Sequence, residues 1–271
     1  MQQEFKVDAD GAAIACRIDG EQSNGPWIVF SNSLITDLSV WDDQVEVLRQ
    51  RYRILRYDQR GHGRTGIPPA QPTFGDLAGD VIAVLDHCGI DCCTFVGLSM
   101  GTPTGLHLYS RHPQRIERLV FSDGQAATAD TGAATWQERI DFARQHGMDA
   151  VADRTVKRWF GDGFIASGQA ERARRMMAGI PLEGYVACAS ALQNYDYASV
   201  LPTISVPTLL LAGAQDGSMP ATMRRMSEII PGAKMVEIPD AGHIPNYENP
   251  RPFNQALLGF LQETEARSIT Q

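Results

Sequence analysis

The chain has no apolar run approaching the roughly 18 residues that cross a bilayer, so no membrane partner is expected. It also lacks an excess of positive charge. Across 271 residues, 32 acidic side chains outnumber 24 basic ones, for a formal net charge of −8, which disfavours a nucleic-acid backbone as partner. An anionic substrate would need its own local arginine or lysine. Low-complexity tracts are missing, and hydrophobic residues make up 43%, enough to bury one sizeable core. The opening stretch MQQEFKVDAD holds no apolar segment of the secretory kind, so the expected localisation is cytoplasmic. Cysteines are few and odd in number, five, without framework spacing, which fits a reducing compartment. Cys88, Cys92 and Cys93 cluster without completing a zinc set. They read as small buried apolar groups, and neither metal nor cofactor is expected. Nothing in the sequence signals an oligomeric state.

What is present is alternation. The first 20 residues read as two strands turning at Asp10-Gly11, a strong hairpin signal. Short apolar runs follow at WIVFSN (27–32), YRILRYD (52–58), CTFVGLS (93–99), RLVFSD (118–123), PTLLLAG (207–213) and KMVEIP (234–239). Helical patterns separate them. Thr73 can cap FGDLAGDVIAVLDHCG, where Leu77, Val81, Val84 and Leu85 share a face before Gly89. PATMRRMSEII and the stretch from 250 to about 263 are further helices. Strand alternating with helix, with nearly continuous apolar strands, predicts an α/β protein with a mostly parallel sheet covered on both faces. The rhythm breaks between 125 and 200, where the pattern turns helical and carries Trp136, Trp159, Phe160, Phe164 and Tyr185. The expectation is a core of residues 1–124 and 201–271, with a helical cap, 125–200, inserted after the sixth strand.

Ligands of open parallel sheets bind beyond the carboxyl ends of the strands. Ser99, in VGLSMGTP, stands at such an end between Gly97 and Gly101, with a helical pattern leaving it. That is the strand–turn–helix setting of a nucleophile elbow, where flanking side chains would clash. Pro103 falls in the first turn of the emerging helix, where an amide has no partner to lose. The base is expected at His243, in the loop after KMVEIP, with His62 in DQRGHGRT as the weaker candidate. The acid that orients the base is expected at Asp216, after PTLLLAG, with Asp123 at the end of RLVFSD competing. The order Ser99, Asp216, His243 is that of the α/β-hydrolases. The oxyanion would rest on the amide of Met100, after the serine, and on one from the loop SNSLITD, where Leu34 stands in the expected place.

Several stretches together resemble the 3-oxoadipate enol-lactonases of the α/β-hydrolase superfamily. They are WIVFSNSL with TDLSVWDDQ, RILRYDQRGHGRT, GLSMG, RWF (158–160), EGYVACASAL (183–192) and AGHIPNYENP. The resemblance covers most of the chain, cap included, and SNSL stands where most of the superfamily has His-Gly. It implies a catalytic Ser99, Asp216 and His243, and hydrolysis of a small carboxylated enol-lactone in aromatic-compound catabolism. It also implies that Trp159 lines the pocket and makes Arg158 a candidate for the substrate carboxylate. The chain departs from the family at Ile35 and Thr102, where glycine is usual; both are expected to put bulk near the oxyanion hole and the pocket.

The expected function is therefore a serine hydrolase acting on a small lactone or carboxylic ester through an acyl-enzyme. A C–C bond hydrolase or a perhydrolase could use the same residues, and a slow-turnover ligand sensor could share the fold. Serine at position 99 argues against the aspartate-nucleophile chemistries.

Overall fold

In the computed structural model, which describes residues 3–20, 22–68 and 70–269, the chain enters as a hairpin. Strands β1 (Gln3–Ala9) and β2 (Ala12–Asp19) pair antiparallel across Asp10 and Gly11, both at positive φ, 47° and 78°. That two-residue turn matches the natural twist of a hairpin. The sheet continues with β3 (Trp27–Ser31), β4 (Arg53–Tyr57), β5 (Cys93–Leu98), β6 (Ile116–Ser122), β7 (Thr208–Gly213) and β8 (Lys234–Ile238). Among the described residues it has eight strands in the order β1-β2-β4-β3-β5-β6-β7-β8. β2 runs antiparallel to β4, and every pair from β4 onward is parallel.

Alternate residues feed two cores. Ile28, Phe30, Val96 and Leu98 face α1 (Asp42–Leu48) and α10 (Pro250–Ile269), whereas Val29, Phe95 and Phe121 face α2 (Phe74–His87), α3 (Gly101–Arg111) and α8 (Met219–Ile229). β5 and β7 are buried along their whole length, as parallel strands sandwiched between helices must be. β8 departs from the expected buried run. It lies at the sheet edge, paired only with β7, and Lys234, Val236 and Glu237 are exposed. Helix α1 escapes the sequence reading because two turns are too short to display a period. α2 begins as expected, on a reciprocal capping box between Thr73 and Asp76, and Gly89, at φ 63°, follows its end.

Between β6 and β7 stand the cap helices α4 (Gly132–Trp159), α5 (Asp162–Ala166), α6 (Ala170–Ala178) and α7 (Leu182–Ala191). α4 is really two helices. A straight helix would separate Glu138 from Arg154 by about 24 Å, yet the two side chains lie 3.6 Å apart. The chain folds back at Gly147, at φ 77° and ψ 173°. The cap sits directly on the core loop after β4. A Cβ on Gly61 would lie 2.5 Å from the Gly184 Cα, and one on Gly184 would lie 2.0 Å from the Gly61 carbonyl. The stretches DQRGHGRT and EGYVACASAL thus share one packed backbone contact.

Arg60 fixes this loop from below, with two bonds of 2.7 Å to the carboxylate of Asp80 on α2 and a third to the Ala9 carbonyl. Both charged groups are buried. Asp80→Ala would leave the guanidinium buried and unpaired. We expect a loss of about 3–5 kcal/mol of unfolding free energy in urea titrations; a loss below about 1 kcal/mol would contradict this role.

Candidate active site

The turn after β5 is built from backbone contacts that leave no room for side chains. A Cβ on Gly97 would sit 2.3 Å from the Gly101 carbonyl oxygen, and one on Gly101 would sit 2.6 Å from that of Ser31. Between them Ser99 takes the left-handed region at φ 52°, costly for a residue with a side chain and held only by its surroundings. Its N–H donates to the Ser122 carbonyl at 2.7 Å, and its own carbonyl accepts from Thr102 at 2.9 Å. The hydroxyl is thereby aimed off the strand end. Its Oγ lies 2.9 Å from His243 Nε2, and Asp216 Oδ2 lies 2.7 Å from His243 Nδ1.

Asp216 occupies the turn after β7, fastened by Gln215 N–H to the Ala241 carbonyl at 2.8 Å and by its own N–H to Gly213. Asp123 plays a different part. It is fully buried, accepts from the Gly213 N–H at 2.8 Å and from the Ser122 hydroxyl at 2.7 Å, and makes no bond to His243. Burial, reinforced by the charge of Asp216, pushes its carboxyl well above the usual range. It shapes the turn that carries Asp216.

His243 is held by the cap. Its N–H donates to the Trp159 carbonyl at 2.9 Å, and the two rings lie 4.8 Å apart. Glu248, on α9 (Pro245–Glu248), ties the same junction. Its two oxygens accept the Gly161 and Gly242 amides, each at 2.7 Å. The glutamate lies within the stretch AGHIPNYENP, but its partners are set only by the fold.

His62, the weaker candidate base, makes no hydrogen bond to Ser99 and is wholly buried. Its Nδ1 meets the Arg60 carbonyl at 3.0 Å, and its Nε2 accepts the Ile35 N–H at 3.1 Å. That pattern is the neutral Nδ1–H tautomer, and burial pushes its pKa down to about 4. His62 braces the loop after β3 that carries Leu34. Among the described residues the amides of Leu34 and Met100 donate to no protein acceptor, so both are free for a ligand.

Ser99, Asp216 and His243 face a cavity of about 360 Å³, also lined by Leu34, Trp159 and Arg158. Ile35 and Thr102, expected beside the pocket, are absent from its wall. Ile35 adopts φ 66° and is 2% exposed, so the left-handed backbone turns its side chain into the core. Thr102 is fully buried, its hydroxyl unpartnered, against Gly124. The bulk of Met100 is likewise fully buried. Arg158 keeps surface open to solvent, yet the cavity wall, and then the charge of Arg139, push its guanidinium down to about 10. Arg139, not singled out in the sequence, lines the same cavity.

A strand–elbow–helix serine, a histidine and an aspartate at neighbouring strand ends, beneath an inserted helical cap, define a hydrolase of the α/β type. The chain belongs to the alpha/beta hydrolase fold family, whose model matches residues 26–250. It is 36% identical over 89% of its length to 3-oxoadipate enol-lactonase 2 of Acinetobacter baylyi, covering 90% of that protein. It is 32% identical over 96% of its length to 3-oxoadipate enol-lactonase 1 of the same organism, covering 97% of it. The crystal structure of the enol-lactonase from Burkholderia xenovorans LB400 superimposes with a TM-score of 0.90 at 37% identity, over 96% of this chain and 100% of that one. Among the described residues no helix is long and apolar enough to cross a membrane.

The buried, neutral His62 has a consequence for stability. The unfolded chain takes up its proton near the ordinary value of 6.5, the folded chain only near 4. Between those values the unfolded state binds more protons, so this contribution is full above 6.5 and fades as pH falls, by up to about 3 kcal/mol. The loss of unfolding free energy between about pH 7 and pH 4.5 should therefore be smaller in His62→Gln than in the wild type, by about 2 kcal/mol. Equal losses would show that His62 is not the neutral brace.

Proposed function

We propose that the chain, a hydrolase acting on ester bonds, opens a small carboxylated lactone through an acyl-enzyme on Ser99. The observation that carries this reading is the unbroken hydrogen-bonded line from Ser99 through His243 to Asp216, facing a cavity that also holds Arg158. The likeness to enol-lactonases over nearly the whole chain supports the substrate class. The acidic surface and the small cavity agree with a cytoplasmic enzyme of small-molecule catabolism, with neither nucleic acid nor membrane as partner.

His243 Nε2 takes the hydroxyl proton as Ser99 Oγ attacks the lactone carbonyl, and Asp216 stabilises the imidazolium that forms. The oxygen that gains charge rests on the amides of Leu34 and Met100. Each such donor is worth about 2.7–4 kcal/mol in the transition state. The ring C–O bond then breaks, and the departing enol oxygen takes the proton back from His243. In a lactone that oxygen stays tethered to the acyl group, so the intermediate remains anchored at both ends. A water deprotonated by His243 attacks the ester carbonyl, Ser99 Oγ leaves with the proton, and the acid is released. Arg158 would hold the carboxylate that the ring carries, orienting the carbonyl toward Ser99.

A panel of lactones and short esters, ranked by kcat/KM and including 3-oxoadipate enol-lactone, tests this. Carboxylated lactones should lead, and Ser99→Ala should lower turnover by at least about 10³-fold with an unchanged fold. Arg158→Gln should cost a carboxylated lactone about tenfold more than a neutral ester. Activity of Ser99→Ala within tenfold of wild type, or a panel led by neutral esters, would overturn the reading.

A further inference from the structure

Arg139 and Arg158 do more than line the catalytic cavity. Together with Thr135 they also line a second cavity of about 310 Å³ inside the cap, and so form the partition between the two. Its far wall is made by the folded-back halves of α4 and by α7, lined by the buried Thr155 and Tyr185 and by Arg154, which also reaches solvent. Three arginines against a single glutamate, Glu138, leave this compartment two formal positive charges. Glu138 is spoken for by Arg154, at 3.6 Å, while Arg139 and Arg158 pair with no acidic side chain among the described residues. Arg139 instead lies over the Trp136 ring at 4.5 Å, and Arg154 over that of Phe142 at 4.5 Å.

We propose that this second cavity is a binding site for a small dicarboxylate, held by Arg139, Arg154 and Arg158, and that it shares two of those arginines with the catalytic cavity. Three guanidiniums gathered on one wall repel each other, and among the described residues only Arg154 has an acidic partner, so a dianion is the ligand that neutralises the excess. Burial pushes both Arg139 and Arg158 below the ordinary arginine value, and the charge of a neighbouring arginine adds to it, Arg154 for the first and Arg139 for the second. The ligand class follows from the reading of the catalytic site, on which this step rests. Opening a carboxylated lactone adds one carboxylate to another, so the product is itself a dicarboxylate. Bound behind the partition, it would draw the guanidiniums away from the substrate carboxylate while leaving Ser99 open.

Sodium succinate is the probe, titrated calorimetrically into the wild-type enzyme at about pH 8, where both its carboxyls and all the arginines are charged. Binding is expected, weakened about tenfold by Arg154→Gln and by Arg139→Gln, and largely recovered in Arg154→Lys. Succinate should raise KM for a carboxylated lactone while leaving that for p-nitrophenyl acetate within about twofold. Competition against p-nitrophenyl acetate would overturn the proposal by placing succinate at Ser99. So would full affinity in Arg154→Gln, or no binding by about 50 mM, far weaker than an ordinary ligand. If succinate binds as described while Ser99→Ala keeps its turnover, the catalytic reading fails instead of this one.

Discussion

The catalytic edge depends on a backbone approach that admits no side chain. Gly101 stands so close to the Ser31 carbonyl that a methyl group there would lie 2.6 Å from the oxygen, and Gly97 is equally hemmed in by the first turn of α3. These contacts hold Ser99 at φ 52°, a conformation the residue would leave if the surrounding strands did not over-determine it. The reward is directional. The hydroxyl projects from the sheet toward His243, and the amide of Met100 is left without a partner among the described residues. The constraint also reaches sideways, since Ser31 ends β3 and begins the loop that carries Leu34.

A second constraint ties the cap to the sheet edge. The Trp159 carbonyl receives the His243 amide, and Glu248 bridges Gly161 of the cap to Gly242 of the histidine loop. The cap therefore cannot shift at its α4 end without disturbing His243. At its other end Gly184 rests on Gly61, and Arg60 carries that contact down to Asp80 in the core. The Arg158 end of α4 and the Ser99–His243 pair at the strand ends are thus joined by short hydrogen bonds.

Features that rest on local chemistry were legible in the sequence. The N-cap at Thr73, the hairpin at Asp10-Gly11 and the bracketed serine each need only neighbours in the chain, and the strand-end positions of Asp216 and His243 follow from the alternation of elements. Features set by distant partners were not. Glu248 and Arg139 acquire meaning only once the cap is folded, and α4 hides its reversal at Gly147 because both halves keep a helical composition. Ile35 and Thr102 show the converse error. Both adjoin oxyanion-loop or elbow residues in sequence, but a left-handed φ at one and burial at the other point them into the core. β8 reads as apolar although its edge position exposes it.

The acyl-enzyme we propose leaves a covalent bond to Ser99, which quenched-turnover mass spectrometry detects. The enzyme is mixed with excess p-nitrophenyl acetate, stopped with acid before the steady state, and digested. An acetyl adduct confined to Ser99 is expected, present only in enzyme quenched during turnover. A chain that turns over the ester with no adduct on Ser99, or with the acetyl group on another residue in kinetically competent amount, would contradict it.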